Sequence, residues 1–483
     1  MVIDALKYQI LQQFGFVPTE EQGQALDAFA RFLTDRDPDA VMILRGSAGT
    51  GKTSLSGAIV RTLKAIRQKV MLLAPTGRAA KVFSLNSGCP AYTIHRRIYR
   101  EKSFAGVDGQ FNLNDNLFTD TLFMVDEASM ISNLGLGGGN FGSGCLLDDL
   151  VRFVYQGHND RLMLIGDKAQ LPPVGEEESP ALNRMMLEGY GLKVYECDLN
   201  EVLRQSQESG ILYNATVIRQ MITHDDITQL PLIRFKGFAD IVMMPGNELV
   251  ESLANSYYRV GQDETMVITR SNKRANIYNN GIRNMVLDRE EELSCGDMLM
   301  IVKNNYFWTE KERNEAKEAL NAIPPFLANG DRAKVLRVSR HMELYGFSFA
   351  TLLLQFPDYD NYEMSVTALL DTLQSEAPAL THEQQEQLFH GVEEDYQDVP
   401  LKADRMKAIR GDQYFNALQV KYAYAITCHK AQGGQWEHVY VDQGYMTDDM
   451  LTPDYIHWLY TAFTRAKDKL FLVNWPKTQT EQA

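Results

Sequence analysis

The sequence predicts an α/β fold of two parallel-sheet units in tandem, each interrupted by a small inserted segment. Two observations predict it. Four short apolar runs near the N-terminus, "AVMILRGS", "KVMLLAPT", "TLFMVDEA" and "RLMLIGDK", are each closed by Gly, Pro, Asp or Ser. Helical patterns lie between several of them, which is how a parallel sheet covered on both faces reads. A second series, "ETMVITRS", "ALQVKYAYAITCHK", "EHVYVDQG" and "DKLFLVNW", repeats the pattern further on. Ligands of such sheets bind beyond the carboxyl ends of the strands, where the first four runs deliver their polar residues.

In order along the chain, the first unit covers residues 1–198 and contains a hairpin at about 97–120, where "SFAGVDGQFNLNDNLF" carries the turn residues. The glycine-rich stretch 135–144 has no lysine and leads into no strong helix, so it reads as a flexible surface loop rather than a phosphate loop. The second unit covers 199–340 and 415–483. Between its halves, 341–414 begins strand-like ("GFSFATLLLQF") and continues as an acidic, helix-leaning insertion.

With 483 residues, 45% apolar and 23% charged, the chain has globular composition and length for about three domains. No apolar run approaches the roughly 18 residues that span a bilayer. The N-terminal "MVIDALKYQI" carries an acidic residue and no cleavage site, so a cytoplasmic protein with no membrane attachment is expected. Cys89, Cys145, Cys197, Cys295 and Cys428 are scattered without a CxxC pair, which suits a reducing compartment and argues against structural zinc. The formal charge of −15, taken whole, counts against a nucleic-acid binder. However, 11 carboxylates lie between Asp358 and Asp398 with no Lys or Arg among them. The remainder is near neutral, with basic clusters at 94–102, 268–283 and 329–340 that permit nucleic-acid binding.

The strand "AVMILR" runs directly into "GSAGTGKT" and then a helical pattern, the context a phosphate-binding loop requires. Gly46, Ala48, Gly49, Thr50 and Gly51 present backbone N–H groups, and Lys52, Thr53 and Ser54 open the helix whose N-terminus favours anions. Lys52 is expected to reach the β- and γ-phosphates of ATP, and Thr53 to ligate Mg²⁺. Asp126 and Glu127 stand together at a strand tip, where their mutual repulsion calls for a cation. Asp126 is the second expected Mg²⁺ residue, and Glu127 the group that orients or deprotonates the attacking water. Phosphoryl transfer also needs positive charge at the γ-phosphate, for which Arg204 and Arg465 are the candidates. Gln170 follows "LMLIGD" on the strand beside the one bearing Asp126 and precedes Pro172-Pro173. An amide there can sense the γ-phosphate or the attacking water, and the stiff turn can carry its displacement elsewhere.

Taken in order, these stretches resemble the superfamily 1B helicases, and most nearly their RecD/Dda-like branch. "PTEEQGQALDAF" is similar to the Q-motif, "LLAPTGRAAKVFS" to motif Ia, "TIHRRI" to the DNA-contact element after it, and "MVDEASMI" and "LIGDKAQLPPVG" to motifs II and III. "NEVLRQ" resembles motif IV, "AITCHKAQGGQW" motif V and "YTAFTRAK" motif VI. The resemblance implies two RecA-like P-loop domains with ATP between them, an SH3-like domain at the second insertion, and 5′-to-3′ movement on single-stranded DNA. It also implies that Gln22 reads adenine. Gly433 lies in motif V, and Gln435 stands where the family often has a ribose-contacting Glu. For the DNA track it implies Pro75, Thr76, Arg78 and His95 from the first unit and Thr427, His429 and Lys430 from the second. Phe307 and Trp308 could stack on bases, although a buried aromatic cluster is the plainer reading of "NNYFW".

The function expected is therefore an ATP-dependent DNA helicase, a monomeric motor acting at duplex junctions and working beside single-strand-binding or recombination proteins. The alternatives are a motor subunit of a larger DNA-repair or recombination complex, and an ATPase switch that does not unwind.

Overall fold

The computed structural model describes residues 2–104, 109–135, 142–201, 208–224, 228–315, 323, 324 and 326–481. The expected loop at 135–144 and the arginine at 204 fall largely or wholly outside them.

The first lobe opens with α1 (Val2–Phe14) and α2 (Glu20–Thr34). Thr19 and Gln22 form a capping box that fixes where α2 starts. There follow β1 (Ala40–Gly46), α3 (Lys52–Ala65), β2 (Lys69–Ala74), α4 (Gly77–Ser87), β3 (Ala91–Thr93) and α5 (Ile94–Ile98). A hairpin of β4 (Tyr99–Phe104) and β5 (Gly109–Leu113) precedes β6 (Thr121–Val125), α6 (Leu146–Tyr155), β7 (Arg161–Gly166), α7 (Arg184–Gly189) and β8 (Lys193–Leu199). Six strands form one parallel sheet in the order β3-β2-β6-β7-β1-β8. Every residue of β1, β6 and β7 is buried, because helices cover both faces. The order brings the ends of β1, β6 and β7 side by side, which places the phosphate loop, Asp126-Glu127 and Asp167–Gln170 together.

The second lobe holds α8 (Gly210–Thr223), β9 (Ile241–Met244), α9 (Leu249–Arg259), β10 (Thr265–Thr269) and α10 (Asn272–Gly281). The chain then leaves it through β11 (Met298–Ile301), α11 (Phe307–Glu315), β12 (Arg332–Leu344), β13 (Phe347–Phe356), β14 (Tyr362–Leu369), α12 (His382–Asp395), α13 (Lys402–Arg410) and β15 (Leu418–Tyr422). It returns as β16 (Ala425–Thr427), α14 (Cys428–Ala431), β17 (Trp436–Asp442), α15 (Pro453–Phe463) and β18 (Ala466–Val473). The lobe's sheet is parallel, in the order β16-β10-β17-β18-β9.

Strands β11 to β15 close into a barrel, with β11 and β15 antiparallel and Ile301 opposite Val420. The barrel reaches beyond the expected 341–414 on both sides. The apolar run of β11 and the alternation of β12 read as parts of the α/β unit, but closure against β15 draws both into the barrel. The acidic stretch forms α12, whose Leu388 and Val392 pack against Phe347 and Phe349 at the barrel's end.

Candidate nucleotide and nucleic-acid site

At the end of β1 the loop 46–51 turns sharply into α3. Gly51 caps that helix at φ +77°, a conformation that suits glycine, and no side chain satisfies the helix's first N–H groups. Those groups are left for an anion. The ammonium of Lys52 donates to the carbonyl of Gly46 at 2.6 Å, and the Thr50 hydroxyl to that of Ser47 at 2.9 Å. Burial, and then the neighbouring Glu127, push the Asp126 carboxyl up, while Lys52 pulls it down. Glu127 sits at φ +52°, a conformation uncommon outside glycine and frequent at functional sites. A crowded carboxylate pair facing a lysine, with exposed Thr53 in the first turn of α3, fits a divalent cation. Among the described residues no group of three or more His, Cys, Asp or Glu could hold a metal unaided.

Gln22 has a different place from the one expected. It is buried under the phosphate loop, donating to the Thr50 carbonyl at 2.9 Å and accepting from the Thr19 N–H at 3.0 Å. Its amide braces the loop rather than facing a base. Exposed Ser54 sits in the first turn of α3.

The segment after β7 is gripped by the second lobe. Tyr460 donates to Asp167 Oδ2 at 2.7 Å and accepts from the Ala48 N–H of the phosphate loop at 3.0 Å. The His457 ring nitrogen Nδ1 lies 2.9 Å from the Ala169 carbonyl. Thr461 accepts from the Leu171 N–H at 2.8 Å, and Gln432 donates to the Leu171 carbonyl at 2.7 Å. Gln170 lies inside this grip, buried, and its Oε1 has no hydrogen-bond partner. A buried unpaired acceptor is unfavourable by roughly 1–3 kcal/mol.

Two arginines make contacts within the protein. Arg465, expected at the γ-phosphate, is buried in its own lobe. It donates to the carbonyls of Thr461 and Gly434 at 3.0 and 3.1 Å and to the Thr464 hydroxyl at 3.1 Å. The C-terminal carbonyls of α15 are natural acceptors for a cation there. Arg78, expected on the DNA track, lies 4.4 Å over the Trp436 ring and donates to the Gln435 carbonyl at 2.7 Å. Burial, and then Arg332, push its guanidinium down to about 10. Its neighbour Thr76, which follows Pro75, caps α4 and faces Gly433. A Cβ on Gly433 would stand 3.0 Å from the Thr76 hydroxyl, so glycine permits this approach of the lobes. The exposed side chain of Gln435 takes no part in it.

Among the described residues of the second lobe, Arg219 on α8 reaches the phosphate loop, a residue the sequence reading missed. Its guanidinium donates to the Ser47 hydroxyl and, at 3.4 Å, to the Asn200 carbonyl.

On the far side of α4, a cavity of about 980 Å³ opens between α4–α5 of the first lobe and α11 and the 357–360 turn of the barrel. His95 lines it, and burial pushes its imidazole down to about 4, so it is neutral at pH 7. Thr427 ends β16 and caps α14, in which His429 and Lys430 lie. Burial lowers His429, and burial followed by Lys421 brings Lys430 down to about 8. Trp308 is buried and donates to the Asn416 carbonyl at 2.9 Å, with Phe307 edge-on to it at 5.1 Å. That pair is core.

The missed residues had a signal. In the apolar helix α15 and its C-cap, His457, Tyr460, Thr461 and Thr464 fall at i, i+3, i+4 and i+7, a polar stripe on a helix otherwise largely apolar. Arg219 had none, because it sits in an ordinary helical pattern.

Residues 19–220 match a family model described as an AAA domain, and residues 422–473 one described as the UvrD-like helicase C-terminal domain. Among relatives, an uncharacterized protein of Methanocaldococcus jannaschii is 33% identical over 171 residues, covering 33% of this chain and 14% of that one. The ATP-dependent RecD2 DNA helicase of Deinococcus radiodurans is 30% identical over 157 residues, covering 32% and 18%. An uncharacterized protein of Acanthamoeba polyphaga mimivirus is 22% identical, covering 89% and 94%. The matches to the first two relatives thus span less than a fifth of those proteins. Among solved structures, the Bacteroides Pif1 helicase in complex with ADP-AlF3 and ssDNA has a TM-score of 0.46 at 14% identity, covering 97% and 95%. The Candida albicans Pif1 helicase has 0.40 at 17%, covering 97% of each chain.

A phosphate loop and its acidic strand tip in one lobe, gripped by a second lobe of the same chain, define a two-lobed P-loop protein. The chain thus pairs a match to an AAA domain with a match to the UvrD-like helicase C-terminal domain, and over about a third of its length it is similar to the RecD2 DNA helicase. Among the described residues no helix is long and apolar enough to cross a membrane.

Proposed function

We propose that this protein is an ATP-dependent DNA helicase that moves on single-stranded DNA, 5′ to 3′, by opening and closing the cleft between its lobes. The single observation that carries the reading is the grip of Gln432, His457, Tyr460 and Thr461 on residues 167–171, since Gln170 lies within it. A change at the phosphate loop has a hydrogen-bonded route to motif V through that segment.

In this reading residues 1–198 form one RecA-like domain with the β4–β5 hairpin as its insertion. The remainder forms the second, carrying an SH3-like barrel. Lys52 leaves the Gly46 carbonyl for the β- and γ-phosphates, and Thr53 and Asp126 hold Mg²⁺, which supplies positive charge to the phosphates when bound. Glu127 orients the water, and Gln170 donates or accepts at the water or γ-phosphate. Arg219 comes from the second lobe's side of the cleft, Arg204 is the further candidate for the γ-phosphate, and Arg465 locks the Gly433-Gly434 turn to the end of α15. His95, Thr427, His429 and Lys430 line the strand's path. The RecD2 relative is named an ATP-dependent DNA helicase, and solved Pif1 structures contain ssDNA. The compartment is cytoplasmic, and the motor works as a monomer beside single-strand-binding or recombination proteins.

The test is unwinding of forked duplexes bearing only a 5′ or only a 3′ tail, with ATP hydrolysis followed in parallel. The unaltered protein unwinds the 5′-tailed substrate, and Lys52→Ala abolishes both activities. Full ATP turnover in Lys52→Ala, or no unwinding of either fork by the unaltered protein, overturns the proposal.

A further inference from the structure

We infer that Arg78 is a positioning residue: it ties the turn 432–435 to the first lobe through Trp436 and the Gln435 carbonyl, and so couples strand binding to ATP turnover instead of holding a strand phosphate. The inference rests on the motor reading and gives one residue of that site a different task.

The turn between α14 and β17 is fastened to the first lobe at both of its ends. At one end Gln432 donates to the Leu171 carbonyl at 2.7 Å, within the segment that follows Asp167. At the other, Arg78 Nη2 donates to the Gln435 carbonyl at 2.7 Å. Between them Gly433 meets Thr76, and Gly434 has no room for a side chain. A Cβ there would stand 2.6 Å from the Trp436 ring and 3.1 Å from Arg78 Nε. The Arg78 guanidinium lies 4.4 Å from the centre of that ring, which is itself buried. Arg465 holds the same turn from the second lobe's side. Its carbonyl accepts from the Trp436 N–H at 2.9 Å, and its guanidinium donates to the Gly434 carbonyl at 3.1 Å. One arginine from each lobe thus grips the turn, and its far end, Gln432, leads to the segment beside the phosphate loop.

The surroundings of Arg78 suit this task better than a phosphate. Its Nη1 is buried. Arg332 of the barrel lies 5.9 Å from the same ring, and its charge opposes that of Arg78, while Asp358, Glu264 and Asp263 favour it. Three carboxylates near enough to act on the guanidinium would repel a phosphate that approached it. A guanidinium over an indole face and removed from water is a strong form of that contact.

The experiment follows ATP turnover of the full chain and its affinity for a labelled oligodeoxythymidylate, each at several salt concentrations. Arg78→Ala should lower the strand-stimulated kcat about ten-fold, with a smaller change in KM for ATP. The slope of log affinity against log salt should stay as it is, whereas loss of one phosphate contact would flatten it by about 0.7. Trp436→Leu should lower the stimulated kcat by a similar factor, and Trp436→Phe by less, because a ring face remains. The two changes combined, Arg78→Ala with Trp436→Leu, should cost no more than either alone, as partners in one contact do. A slope flattened by that amount, stimulated turnover left intact, or losses that multiply in the pair each overturns the inference and leaves the motor reading standing. No stimulation of the unaltered chain by the strand overturns the motor reading itself.

Discussion

The Tyr460 hydroxyl of the second lobe donates to Asp167 of the first across 2.7 Å, and the same oxygen accepts from the phosphate loop at Ala48. One phenol thus joins both ends of the nucleotide machinery to the helix that carries motif VI. In Tyr460→Phe, Ala48 N–H and Asp167 Oδ2 lose their shared partner while the ring still fills its space. Stimulation of ATP turnover by single-stranded DNA should fall about ten-fold, within the range of coupling energies between sites. The ratio of stimulated to basal kcat measures it, and an unchanged ratio would show that the contact transmits nothing.

Arg219 reaches the phosphate loop from α8. Its removal in Arg219→Ala should lower kcat on the order of 10²-fold or more, as loss of a fixed donor at a developing anion does, with a smaller change in KM for ATP. Arg219→Lys keeps the charge without the planar fork and should fall between. Steady-state hydrolysis at saturating DNA separates the three.

DNA affinity should weaken above pH 8. Burial and Lys421 hold the Lys430 ammonium down at about 8, so it is charged below that pH and progressively neutral above it. A bound phosphate favours the charged form, so affinity is full below the free-state value and declines as pH rises through it. Between pH 7 and pH 9 the loss should approach roughly ten-fold, and Lys430→Arg, which stays charged, should abolish it. Strand binding measured across that range at constant ionic strength is the check.

Asp331 sets an opposite test inside the barrel. It accepts from the Ala328 N–H and the Tyr359 hydroxyl, both at 2.7 Å, and burial lifts its carboxyl to about 7. A folded-state value above the unfolded one means that the folded chain holds the extra proton. That stabilisation is complete below about pH 4 and lost as pH rises through 7. From pH 6 to pH 8 the cost is about 1 kcal/mol. Asp331→Asn keeps an acceptor for both donors and should remove that slope from urea unfolding curves.

Much of the two sheets was legible because their strands are buried on both faces and read as apolar runs with polar ends, as β1, β6 and β7 do. The phosphate loop was legible because its chemistry demands fixed residues at fixed spacing. What escaped depends on which partner a side chain meets across the cleft. Nothing in "YTAFTRAK" says that Tyr460 faces Asp167 while Arg465 turns back onto its own carbonyls. Likewise "GRAA" does not say that Arg78 lies on Trp436, which is 358 positions away in sequence. The barrel's full extent was hidden because β11 is a short buried run, indistinguishable by pattern from a strand of the neighbouring sheet.

The register of Ile301 opposite Val420 means that the chain departs for its long excursion and comes home at adjacent rungs of one ladder. A tight turn joining those two positions would leave the two lobes covalently whole. The excursion is thus a cassette with both plugs at one socket, which related motors could exchange or enlarge while the engine underneath stayed the same.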